Sequence, residues 1–312
     1  MSIPIADLHC DLLCYLQADP SRTPFDPIVK CSIPQLLSGP VKRQVMAAFC
    51  ETNEHSAAHG LAQANRFVKL KKEFPQIEMY LSLENGSTLC TEKDSLETCF
   101  SNLEWIRSLC GCIFYISLTW NTENRFGGGA HTKIGLKTDG EQLLEFLSGK
   151  HIAIDFSHTS DALAEEMFSY IDKKQLNIPV LASHSNFRAI RDVPRNLPDE
   201  FVKEIFNRQG VIGINFVKEF VGPNGFSPHI EHGLKLGGEN HLCFGADFFY
   251  EGDVPKAFRK PSSFMPEYNH AGCYQKIIQE LNLPQEIVRK LAHENFAKFA
   301  VNSVVNFNYG EI

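Results

Sequence analysis

The chain has 312 residues, 43% of them hydrophobic, and a formal net charge of −7. That is ample apolar material for a large core, but an acidic balance with no basic face argues against a nucleic-acid partner, and no run of 18 apolar residues is present to span a membrane. Ten cysteines are too sparse for a disulfide scaffold and lie mostly inside apolar segments, so they read as reduced thiols packed like small hydrophobes. The N-terminus shows no basic region followed by an apolar leader, which points to a cytoplasmic protein.

In chain order, eight short and nearly continuous apolar runs are predicted as strands: Ile3–His9, Gln44–Cys50, Ile77–Glu84, Cys112–Trp120, His151–His158, Ile178–His184, Gly210–Phe216 and His241–Phe248. Runs of that kind suit parallel strands buried on both faces. Helical patterns alternate with them. His59–Phe74 carries Leu61, Ala64, Phe67, Val68 and Leu70 roughly on one face. Asp139–Leu147, Asp161–Ile171, Pro198–Asn207 and Pro228–Leu236 continue the alternation, with proline as a normal first-turn residue. A Pro- and Phe-rich stretch at 251–268 reads as a loop or lid, and the helices Ala271–Leu281 and Pro284–Val304 close the chain. Eight strands alternating with helices favour a (β/α)8 TIM-like barrel over an open sheet, formed as one domain over residues 1–312.

The chemistry concentrates at the predicted C-terminal strand ends, which in such a barrel face one mouth. Asp7-Leu8-His9-Cys10-Asp11 ends the first strand, and alternate side chains of an extended segment point the same way, so His9 and Asp11 can converge on one ion. Glu84 closes the third strand, His158 the fifth, His184 the sixth and Asp247 the eighth. Carboxylates brought together without cations would repel one another. Five ligands exceed the needs of one tetrahedral zinc with an open site. They fit two divalent ions, most simply Zn2+, with Glu84 as the bridge, His9 and Asp11 completing one ion and His158 and His184 the other. A water or hydroxide between the ions is the expected nucleophile, and Asp247 the proton acceptor and donor.

Seven short motifs now stand in order along almost the whole chain: Asp7-Leu8-His9-Cys10-Asp11, Leu83-Glu84-Asn85-Gly86, Ser117-Leu118-Thr119-Trp120-Asn121, Asp155-Phe156-Ser157-His158, Ser183-His184-Ser185-Asn186, Pro194-Arg195-Asn196-Leu197 and Gly245-Ala246-Asp247-Phe248. In this the sequence resembles the membrane (renal) dipeptidase family, binuclear zinc peptidases of the amidohydrolase superfamily. The resemblance implies His9, Asp11, Glu84, His158 and His184 as zinc ligands and Asp247 as the acid/base. It implies that Arg195 grips the C-terminal carboxylate of a small dipeptide, a task suited to its planar fork, and that a C-terminal D-residue is tolerated. A homodimer is the expected assembly. The lipid anchor of mammalian relatives is not expected here.

The departures from the family lie on the substrate side. Trp120 stands where many members carry a substrate-holding His, and its indole can offer only one N–H; Val217 replaces a Tyr, and Phe248-Phe249-Tyr250 replaces Phe-Asp-Gly. These changes leave a metal-dependent N-acyl-amino-acid deacylase as the rival enzyme and a non-catalytic binding protein as the distant one, although the latter would be expected to have lost a ligand. Gly127-Gly128-Gly129 is read as a mobile flap, His229 and His232 as packing histidines or supports behind the ligands, and Arg188 as a minor candidate for stabilising the loop or the substrate.

Overall fold

The computed structural model describes residues 2–254 and 262–304. Eight parallel strands, β1 (Ile5–Cys10), β2 (Val41–Phe49), β3 (Glu78–Glu84), β4 (Ile113–Ser117), β5 (Ala153–Asp155), β6 (Val180–Ala182), β7 (Val211–Ile214) and β8 (Leu242–Phe244), pair in sequence order, and β8 returns to β1 through Asp7 and Phe244. The expected TIM-like (β/α)8 barrel is therefore the fold. Most strands are shorter than the apolar runs that announced them. The physical reason lies at their C-terminal ends, where Asn85, His158 and Asp247 take positive φ values of 79°, 66° and 62°. Such a backbone leaves the ladder and is unusual for a residue with a Cβ.

Two apolar layers hold the barrel. The larger lies between the strands and the surrounding helices. The smaller draws Ala6, Leu8, Val45, Tyr80, Phe114, Tyr115, Ala153, Leu181, Val211 and Cys243 from all eight strands, and so fills the barrel's interior. Its lower end is plugged by the last helical segment, whose Phe296, Phe299, Ala300 and Val304 pack onto it; the Phe296 ring stacks on Phe114 at 5.0 Å. That plug leaves the opposite mouth for chemistry, as is usual for this fold.

The helix Leu96–Cys110 went unread in the sequence. It buries Cys99, Leu103, Ile106 and Cys110 at helical spacing and is capped by Ser95, whose hydroxyl accepts from Thr98 N. Of the expected lid at 251–268, residues 255–261 lie outside the described residues; beyond them Phe264 is fully buried and bridges to Val217. Among the described residues no helix is long and apolar enough to cross a membrane.

Candidate metal centre

The mouth is built from strand ends. Between Asp7 and Cys10, β1 has one more residue than β2 has between Gln44 and Met46. A bulge of this kind re-aims a side chain. Ala6 and Leu8 face the interior, and the extra residue turns His9 inward next, leaving Cys10 in the outer apolar layer. Asp7 holds this turn in place. Its buried carboxylate accepts from His9 N at 2.8 Å, from Gln44 Nε2 at 3.0 Å, from Ala246 N at 3.0 Å and from the Tyr274 hydroxyl. One side chain thereby ties the segment of His9 to that of Asp247.

The structure brings His9, Asp11, Glu84, His158, His184 and Asp247 into one cluster. Glu84 lies at its centre: Oε2 is 3.5 Å from His9 Nε2, while Oε1 is 2.8 Å from His158 Nε2 and 3.5 Å from His184 Nε2. Asp11 Oδ1 and Asp247 Oδ1 lie 3.7 and 3.8 Å from His9 Nε2. Among the described residues three triads could each hold a cation: His9, Asp11 and Glu84; Glu84, His158 and His184; and His9, His184 and Asp247.

Hydrogen bonds at the back of each ring assign its tautomer. Tyr115 hydroxyl donates to Leu8 O and accepts from His9 Nδ1 at 2.6 Å. Asn121 Oδ1 accepts from His158 Nδ1 at 2.8 Å. Ser183 Oγ donates to Asp155 and accepts from His184 Nδ1 at 2.7 Å. The Nε2 atoms of all three rings consequently face the mouth, where His158 Nε2 and His184 Nε2, left as lone pairs, stand 2.8 Å apart. Two lone pairs at that separation need a positive charge between or beside them. Buried His9 Nε2 and Asp11 Oδ1 also have no hydrogen-bond partner among the described residues. Unsatisfied donors of this kind, imidazole and carboxylate together, fit divalent metal ions.

Burial dominates the electrostatics. It pushes His158 and His184 well below the usual histidine range, helped for His158 by the Arg195 and His9 charges. It pushes Glu84 well above the usual carboxylate range, and Asp247 up to about 7, against the pull of His9 and the Asn215 amide, which donates to Asp247 Oδ2 at 2.9 Å. Burial would lower His9 too, but the charges of Tyr115, Glu84 and Asp11 hold it well above normal.

On the substrate side, Arg195 is buried with its guanidinium 5.2 Å over Phe220. Nη2 reaches His158 Nε2 at 3.1 Å and Nε has no partner; among the described residues no carboxylate pairs with it. Trp120 lines the same mouth, 5.2 Å from the Phe49 ring and 6.0 Å from His158. Val217 is buried under Phe264, and Phe249 packs on Phe264. The Gly127–Gly129 run is no flap. It is buried, bridged to Leu136 and Thr159, and so close to the Trp120 carbonyl that a Cβ at Gly129 would collide with it. His229 and His232 are held within the fold by Phe187 N, Val221 O and Asp199, and Arg188 pairs with Asp161. The groups behind the rings, Tyr115, Asn121, Asp155 and Ser183, and Asn215 behind Asp247, were given no role in the sequence. Most of them stand one or two places from a strand end, in or beside the motifs above.

Against known proteins, residues 1–304 match the family described as membrane dipeptidase, peptidase family M19. Curated relatives include an uncharacterized protein of Klebsiella pneumoniae, 29% identical over 41% of this chain and 52% of its own length, and an uncharacterized dipeptidase of Schizosaccharomyces pombe, 28% identical over 48% of this chain and 38% of its own. The chain spans about half the length of the curated relatives it matches. Among solved structures, a metallopeptidase of Rhodobacter sphaeroides liganded with a phosphinate mimic of L-Ala-D-Ala superposes with a TM-score of 0.78 at 18% identity, covering 97% of this chain and 100% of that one. At that identity the likeness shows the barrel alone. The match over residues 1–304 goes further: this chain belongs to the membrane dipeptidase family.

Proposed function

We propose that the chain is a metal-dependent dipeptidase acting on small dipeptides, including those with a C-terminal D-residue. The observation that carries this reading is the convergence of three histidine Nε2 atoms on the two oxygens of Glu84, beside a buried arginine that no carboxylate pairs with among the described residues. His9, Asp11 and Glu84 would hold one divalent ion, and Glu84, His158 and His184 a second; this donor set suits Zn2+. Such ions, when bound, acidify water and polarise a carbonyl.

The remaining steps belong to the chain's own residues. Arg195 receives the free carboxylate of the peptide, since among the described residues no carboxylate pairs with its buried charge and its Nε has no acceptor. A carboxylate bound there brings the adjoining amide over the histidine cluster and limits the substrate to short peptides. Asp247, anchored by Asn215 on one oxygen, keeps the other free beside His9 to take a proton from the attacking water and return it to the leaving amine. Trp120 forms an aromatic wall with Phe49 at the entrance. Tolerance of a D-residue draws support from the Rhodobacter sphaeroides protein solved with an L-Ala-D-Ala mimic. Ten free cysteines support a reducing, cytoplasmic setting.

The test is metal analysis of the purified protein beside hydrolysis of L,L-dipeptides, L,D-dipeptides and N-acyl amino acids. Two equivalents of metal with dipeptide turnover are expected. Turnover of N-acyl amino acids alone would replace the dipeptidase by a deacylase, and absence of both metal and hydrolysis would end the enzyme reading.

A further inference from the structure

Behind the metal centre lies a second buried carboxylate whose donors are all accounted for. Asp155, at the end of β5, is fully buried. Its Oδ1 accepts from Ser157 N at 2.9 Å and Ser183 N at 2.8 Å. Its Oδ2 accepts from the hydroxyls of Ser117 and Ser183, each at 2.7 Å. Each oxygen already accepts two hydrogen bonds, and the Ser183 hydroxyl is one of the donors, so the Ser183 hydrogen is committed to Asp155. Ser183 Oγ also lies 2.7 Å from His184 Nδ1, and with its own hydrogen spent it can only accept there. The chain of polarity therefore runs one way: His184 Nδ1–H to Ser183, Ser183 O–H to Asp155. The Nε2 lone pair is left facing Glu84 and His158.

The other two histidines are held differently, His158 by the Asn121 amide oxygen and His9 by the Tyr115 phenol. Of the three, only His184 has a carboxylate behind it through a single hydroxyl. We propose that Asp155, acting through Ser183, is a positioning residue that locks His184 in the Nδ1–H tautomer and so presets the ion position shared by His158 and His184. The proposal rests on the metal-centre reading given above. It also accounts for motif residues that touch no substrate: Ser117, Asp155 and Ser183 form one relay spanning three strand ends.

The sharpest perturbation is Asp155→Asn, which is nearly isosteric. Asn Oδ1 can still accept from the two backbone amides, but its NH2 must now face the two hydroxyls and donate to Ser183 Oγ. The Ser183 hydrogen is then released toward His184 Nδ1, and His184 is driven to the Nε2–H tautomer, with a proton where the ion would sit. Ser183→Ala removes the relay with a smaller change, leaving the tautomer unset. Nitrogen chemical shifts of 15N-histidine-labelled apoprotein, with His184 assigned by a His184→Gln spectrum, read the tautomer directly. Titration with Zn2+ or Co2+ under competition from a chelator reads the two ion affinities.

The wild-type protein is expected to show Nδ1–H at His184 and to bind two ions. Asp155→Asn should show Nε2–H and bind one of the two about 10–100-fold more weakly, the range for loss of a group that orients a metal-binding histidine, with the other ion unaffected. Ser183→Ala should show mixed tautomers and a smaller loss at the same ion. If Asp155→Asn fails to fold, Ser183→Ala decides. Retention of Nδ1–H and of both wild-type affinities in a folded variant would overturn the proposal. A wild-type protein that binds no metal would instead overturn the metal-centre reading, and the tautomer comparison would still decide the relay.

Discussion

His229 offers a pH test remote from the metal centre. It sits in the helix Ser227–Lys235, fully buried, with Nδ1 accepting from Phe187 N and Nε2 donating to Val221 O, both at 3.2 Å. Burial pushes its pKa down to about 4, the Val221 carbonyl opposing weakly and the His232 charge adding to the fall. In the unfolded chain the same ring titrates near about 6.5. As the pH falls, the unfolded state takes this proton first. The contribution of His229 to stability is therefore fully present above about pH 6.5 and is lost progressively toward pH 4. The gap, at about 1.4 kcal/mol per pH unit, amounts to roughly 3 kcal/mol, of which about 2 should be gone by pH 5. His229→Gln is neutral throughout and keeps an acceptor and a donor. Urea unfolding of both proteins at pH 7.5, 6.0 and 5.0, with chelator present, isolates the histidine, because every other titrating group is common to the pair. The stability difference should shift by about 2 kcal/mol in favour of the variant between pH 7.5 and 5.0. Parallel curves would refute the reasoning.

Asp247→Asn should retain wild-type metal content and lose about a hundredfold or more in turnover, as expected for loss of an acid/base group; undiminished turnover would remove Asp247 from the reaction. Arg195→Lys keeps a charge but not the fork, and should raise KM for dipeptides about tenfold or more while leaving hydrolysis of a dipeptide amide nearly unchanged. Phe296→Ala opens the lower plug beneath Phe114 and should cost about 3–5 kcal/mol in unfolding stability, with kcat per folded molecule unaltered.

Much of the fold was legible because parallel barrel strands are buried on both faces and so stand out as apolar runs. Their ends were not, because periodicity carries no sign of where a backbone turns to positive φ, as at His158 and Asp247. The helix Leu96–Cys110 was hidden for a different reason. Two of its four core positions are Cys99 and Cys110, which pack as hydrophobes yet do not read as a helical stripe. The Gly127–Gly129 run shows the converse error: glycine there reflects close backbone approach rather than mobility.

The site divides along a similar line. Residues whose side chains converge on the mouth are ionisable and follow apolar runs, so His9, Glu84, His158, His184 and Asp247 could be read from type and position. The groups that orient them are serines, amides and a tyrosine, common residues whose roles depend on which strand end lies behind which ring. Asp7 and Asp155 illustrate the limit. Each is a buried acid just ahead of a site histidine, and from the sequence either could pass for a ligand. Their four donors apiece leave no oxygen to face the mouth. Asp11, by contrast, has an Oδ1 with no hydrogen-bond partner among the described residues, 3.7 Å from His9 Nε2. Hydrogen-bond saturation, which requires the fold, is thus what separates the acids that hold histidines from the acid that sits among them.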